Sequence, residues 1–181
     1  MSKSEEELAK ELFFQYRGSH FHMERDGKYS LYESYNISKE TEFVWIREYQ
    51  NNILDNLDNS PKAVTYFLSL CSTISQYNSI DLLPRVIAFA ESKIGILDAF
   101  STLVMLEDVY RSIVSLRKNH KNSFYLFYKR LYDNFNQLLV HPVIATDESL
   151  RISNTTTDNF EAYMIDRIKG SIKALESDLN N

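Results

Sequence analysis

Phe124-Tyr125-Leu126-Phe127-Tyr128-Lys129-Arg130-Leu131-Tyr132-Asp133-Asn134-Phe135-Asn136-Gln137-Leu138-Leu139 is the stretch on which the fold class turns. At about 100° per residue, its aromatic and aliphatic side chains gather in an arc of roughly 160°, wide enough for two partner helices. Lys129, Arg130, Asp133, Asn136 and Gln137 take the other side, with Leu126 the one exception. The pattern predicts a helix from about Ser123 to Val140. His141-Pro142 ends it, because the residue before a proline resists the α region.

The neighbouring stretch, residues 96–118, is apolar around most of its circumference: Leu97, Phe100, Leu103, Leu106, Val109 and Ile113 point in different directions. Such a helix is expected at the centre of a bundle. Further out, Ser4-x-x-Glu7 forms a capping-box pattern that starts a helix ending at Gly18. Ser38 caps another that runs to Leu57, and Ser60-Pro61 restarts the chain into a third that ends near Tyr77. A short fourth helix carries Pro84 in its first turn, and Gly95 separates it from the central one. A last helix is capped by Asp158 and shows one narrow apolar face, Met164, Ile165, Ile168, Ile172, Leu175 and Leu179, suited to the outside of the fold.

Residues 19–35 break this rhythm. Asp26-Gly27 is a type I′ turn signal between aromatic flanks, and it predicts a short β-hairpin near residues 20–34. Residues 141–157 form a second irregular stretch, polar and rich in threonine. The expected architecture is therefore mainly all-α: one domain, 1–181, built as an irregular antiparallel bundle of about seven helices, with the 19–35 insertion and the 141–157 connection. Helix pairs of about 40 residues also suit a HEAT-like solenoid, although no fixed repeat period appears. Four glycines and three prolines in 181 residues are too few for the turns of an all-β domain.

Composition narrows the function classes. The net charge is −5, with twelve acids against seven bases in residues 1–60, so a general nucleic-acid binder, which neutralises phosphates with Lys and Arg, is not expected. The first residues lack a basic stretch followed by an apolar one, and no uncharged apolar run nears the ~20 residues of a membrane span. The single cysteine, Cys71, permits no internal disulfide and sits in an apolar helical stretch as a small buried hydrophobe. These features together give the cytoplasm as the expected compartment. No phosphate-binding glycine loop, Cys-x-x-Cys, His-Glu-x-x-His or Gly-x-Ser-x-Gly occurs.

Three clusters remain as candidates for chemistry. In the hairpin register set by Asp26-Gly27, His20, His22, Glu24 and Glu33 share one face, so His20, His22 and Glu33 form a ligand set for zinc or another divalent ion, joined from the helical body by His120 or His141. Glu107 lies in the most apolar sector of the central helix, where a structural ion pair with Arg111, four residues on, is the expected compensation. Arg111, Arg117, Lys118, Lys121, Lys129 and Arg130 make a basic stretch beside Tyr125 and Tyr128, expected to be solvated charge at a loop and helix edge.

Twelve tyrosines and eleven phenylalanines exceed what a small core needs, and such rings are common at protein interfaces. The leading expectation is a cytoplasmic helical protein-interaction module, a homo-oligomer or a binder of one protein partner, of which a small acidic immunity-type binder is one version. The alternatives are a metal-dependent hydrolase or metal sensor on His20, His22 and Glu33, and a nucleic-acid accessory protein on Arg117, Lys118 and Lys121.

Overall fold

The computed structural model of the chain describes residues 3–59, 62–118, 124–142 and 157–180. Among these the regular structure is helical and no strand occurs: α1 Glu5–Gln15, α2 His20–Arg25, α3 Tyr29–Ser34, α4 Lys39–Asn56, α5 Ala63–Gln76, α6 Leu83–Ser92, α7 Ala99–Arg117, α8 Tyr125–Val140 and α9 Thr157–Leu179, with 3₁₀ turns at Leu57–Asn59 and Ile80–Leu82. The all-α class is as expected. No described helix is long and apolar enough to cross a membrane. Ser60, Pro61, His120, Lys121 and most of the 141–157 connection lie outside the described residues.

The hairpin does not form, and α2 and α3 stand in its place, raising about seven expected helices to nine among the described residues. Gly27 has φ 66°. The Lys28 N–H reaches back to the Met23 carbonyl at 2.7 Å and the Gly27 N–H to the Glu24 carbonyl at 3.0 Å. Those two bonds are a Schellman helix ending. A left-handed glycine serves a helix C-terminus as well as it serves a hairpin turn, so Asp26-Gly27 does not discriminate between them. Packing decides: the helical form brings Met23 and Tyr32 into one core with Phe13 and Trp45, whereas an isolated hairpin is marginal in water.

The helices fall into two compact units, residues 1–77 and 78–181. The first holds α1 to α5. Ser4 starts α1 with a complete capping box: its Oγ accepts from the Glu7 N–H at 3.2 Å, and Glu7 Oε2 accepts from the Ser4 N–H at 2.8 Å. The other end of α1 differs in detail from the expected glycine stop. Arg17 occupies the first left-handed position at φ 53°, and Gly18 follows at φ 73°. Gly18 is needed for space as well. A Cβ there would stand 2.6 Å from the Tyr77 hydroxyl and 3.0 Å from the Phe13 ring. The Tyr77 hydroxyl donates to the Gly18 carbonyl at 2.7 Å, which fastens the α1–α2 corner to the end of α5. Phe13 is the centre of this core, stacked on Tyr32 at 6.0 Å and edge-on to Trp45 at 5.7 Å.

The second unit holds α6 to α9. Here α7 is central, as expected of a helix apolar around most of its circumference: it packs on α6, α8 and α9. It buries Leu103, Met105, Leu106, Val109 and Ile113 on one broad face, and Arg111 on the other side is exposed. Asp98 caps it, accepting from the Ser101 N–H at 2.8 Å. The arc of α8 is narrower than expected. Phe124, Tyr128, Leu131, Phe135 and Leu138 are buried, while Tyr125 is exposed. On α9, Met164, Ile168 and Leu175 face inward.

Candidate functional site

The segment singled out for metal, residues 20–34, carries its histidines on a helix rather than a strand. Two residues apart on a helix is roughly 200° of rotation, so His20 and His22 leave α2 in opposite directions. The shared face depended on the strand period and goes with it. His22 and Glu33 are exposed, and among the described residues no group of three His, Cys, Asp or Glu side chains is placed to hold a metal ion. His141 belongs to the other unit and is exposed.

His20 instead joins a carboxylate that the sequence reading passed over. Its Nε2 donates to Glu42 Oε1 at 2.9 Å, and the Tyr32 hydroxyl donates to the same oxygen at 2.7 Å. The Glu42 side chain is only 12% exposed, and that of His20 is 41% exposed. Glu42 sits in the first turn of α4, started by Ser38, whose Oγ accepts from the Thr41 N–H at 3.1 Å. The imidazole is surrounded by rings: Tyr29 at 5.4 Å, Tyr32 at 5.5 Å and Phe13 at 6.5 Å. Burial first, and then the bond to Glu42, push the Tyr32 phenol well above its ordinary value. Burial, with the charge of Glu42 adding to it, pushes Tyr77 up to about 12.

A carboxylate that orients an imidazole is half of an acid–base pair. The other half, a nucleophile, does not hydrogen-bond to it: His20 has no serine, threonine or cysteine partner among the described residues, and Cys71 is buried at 2% exposure. The cluster therefore ties α2, α3 and α4 together. Exposed apolar side chains adjoin two of its members in sequence. Phe21 follows His20 on α2 and is 74% exposed; Phe43 and Val44 follow Glu42 on α4 and are 52% and 61% exposed. Exposed Glu24 lies three residues from Phe21, and exposed Glu40 lies three from Phe43. Exposed apolar side chains and exposed acids are thus sequence neighbours on α2 and on the first turns of α4.

The other two clusters resolve into ion pairs. Glu107 is buried on α7 and takes a bidentate partner from α9: Arg167 Nε donates to Oε1 at 2.8 Å and Arg167 Nη2 donates to Oε2. Arg111 stands by as the weaker partner, 3.5 Å away, and Arg167 also reaches the Tyr163 hydroxyl at 3.3 Å. The expected pair with Arg111 exists, but the neighbour 60 residues away dominates it. Along the basic stretch, Arg111 pairs with Asp108, Arg117 with Asp178, Lys129 with Asp133 and Arg130 with Glu91. Four of its six cations are thus matched by acids of their own unit. Comparison with protein-family models, with curated proteins and with solved structures finds no match for the chain.

Proposed function

We propose that the chain is a cytoplasmic helical interaction module that binds a protein partner through the rim formed by α2 and the start of α4. The supporting observation is the exposure of Phe21, Phe43 and Val44 in a unit that holds twelve acids and eight bases. Covering a large apolar side chain is worth roughly 1.5–3 kcal/mol, and residues of this kind anchor interfaces when a partner supplies the cover. The acids around them select a basic partner and speed its approach. The chemistry expected of the partner is a basic surface with shallow apolar pockets, the arrangement a small acidic inhibitor of a basic protein would use.

The test is affinity capture from cells that express the chain, with the natural protein and the Phe21→Ala/Phe43→Ala variant as parallel baits. One stoichiometric protein held by the first and lost by the second, at unchanged helical circular dichroism, is the expected result. Equal recovery by both baits rejects the rim. Sedimentation velocity on the purified chain separates self-association from capture of a different protein.

A further inference from the structure

His22, on the far side of α2 from His20, faces a different surface. A pocket of about 390 Å³ lies in the first unit between the α1–α2 corner and α5, open to solvent. Its floor is a stripe on α5: Ser69, Ser72, Thr73 and Gln76, spaced i, i+3, i+4, i+7 and hence on one face of the helix. Its walls carry Arg17, His22, Arg25 and Asp26.

The charge of these walls runs against the rest of the unit. Residues 1–77 hold twelve acids and eight bases, yet the pocket collects two arginines and a histidine against one acid. That acid is already committed. Arg25 Nε donates to Asp26 at 2.8 Å, and this bond first of all holds the Asp26 carboxyl below its ordinary value. Arg17 pairs with no acid among the described residues. It is also held at φ 53°, where a side chain with a Cβ is strained. On the floor, two hydroxyls are held in place. Thr73 Oγ1 accepts from Gln50 Nε2 at 3.3 Å and donates to the Leu70 carbonyl at 2.9 Å, and Ser69 Oγ lies 3.4 Å from the Tyr49 hydroxyl. Ser72 is exposed, with its hydroxyl unengaged by protein among the described residues.

We infer that this pocket binds a small phosphate monoester, with Arg17 and His22 on the phosphate and the Ser72 and Gln76 side chains on its hydroxylated body. A guanidinium without an acid partner favours a doubly charged, many-acceptor group, because each charge-assisted bond is about twice as strong as a neutral one. The Ser72 hydroxyl and the oxygen of the Gln76 amide, whose Nε2 donates to the Gly18 carbonyl at 3.4 Å, supply bonds to a polar body, and the volume lies within the roughly 300–1,000 Å³ of small-molecule sites. The site is independent of the apolar rim, so either can fail without the other.

Calorimetric titration of the full chain at neutral pH tests it, with glycerol 3-phosphate, inorganic phosphate and glycerol as three separate probes. Saturable binding of glycerol 3-phosphate, weaker binding of phosphate, and none of glycerol are expected. Arg17→Gly removes the charge, and glycine accepts φ 53° without strain, so this variant folds. It should bind glycerol 3-phosphate roughly ten- to a hundredfold more weakly. Ser72→Ala, at an exposed position, should weaken the ester and leave inorganic phosphate unchanged. No saturable binding of the ester, or equal binding by the natural chain and Arg17→Gly, overturns the assignment.

Discussion

Two glutamates, Glu42 in the first unit and Glu107 in the second, are buried to nearly the same degree, 12% and 10% exposed, and are satisfied in opposite ways. Glu107 meets a permanent cation in fork geometry: Arg167 gives it two bonds from α9, and Arg111 adds a third contact at 3.5 Å. Glu42 meets a phenol and an imidazole, both on a single oxygen. The first arrangement holds full charge compensation at any ordinary pH. The second spreads one negative charge over two hydrogen bonds, one from a neutral phenol and one from an imidazole. Equal burial therefore does not mean equal energetics. Removing Arg167 leaves a buried carboxylate, while removing Glu42 leaves the Tyr32 hydroxyl without its acceptor.

The largest expected effect breaks the first arrangement. Arg167→Ala leaves Glu107 with only the exposed Arg111 and should cost about 3 kcal/mol. Urea unfolding followed by circular dichroism measures it. Replacing both members by leucine should recover most of the loss, since an apolar pair of similar volume needs no compensation. A loss below about 1 kcal/mol for the single variant would show that the bidentate pair matters less to stability than its burial implies.

Breaking the second arrangement should cost less. Glu42→Ala strands the Tyr32 hydroxyl in a residue only 4% exposed, at about 2 kcal/mol. Removing the stranded group as well, in Glu42→Ala/Tyr32→Phe, should return part of that. A double-mutant cycle over the two positions reads the coupling directly, and a coupling near zero would mean that the hydroxyl finds another acceptor.

The smallest effect is read by pH. Tyr77 has its phenol raised to about 12, by burial and then by Glu42, from about 10 in the unfolded chain. A group raised in the folded state contributes stability that is complete below the unfolded value and is lost as pH rises through the folded one. Stability should therefore fall between pH 10 and 12, by on the order of 1 kcal/mol at pH 11 for this residue. Tyr77→Phe should flatten that slope in unfolding curves taken at pH 9, 10 and 11. An unchanged slope would assign the alkaline loss to other phenols, among them Tyr110, which burial and Asp178 also push upward.

The sequence reading was most reliable where the signal is local. Capping at Ser4 and Ser38 is legible because a cap is decided within four residues, and the central place of α7 because its apolar residues lie around most of its circumference. Asp26-Gly27 was misread for the same reason: the local signal reports only that a left-handed residue is wanted, which a helix ending and a hairpin share. The stripe Ser69, Ser72, Thr73 and Gln76 has helical spacing, but that spacing alone does not specify which other segments line a pocket with it.

By itself, the sequence determined that the chain is helical, where most of its helices begin, and that α7 lies inside a bundle. These follow from periodicity and capping, which act over a few residues. Tertiary structure alone decided that residues 20–34 are two helices, that Glu107 belongs to Arg167 and Glu42 to His20 and Tyr32, and that Arg17 and His22 line one pocket with α5. Each of those partnerships spans between 10 and 60 positions. A buried charge takes whichever partner the packing brings within reach, and only the folded chain specifies which one that is.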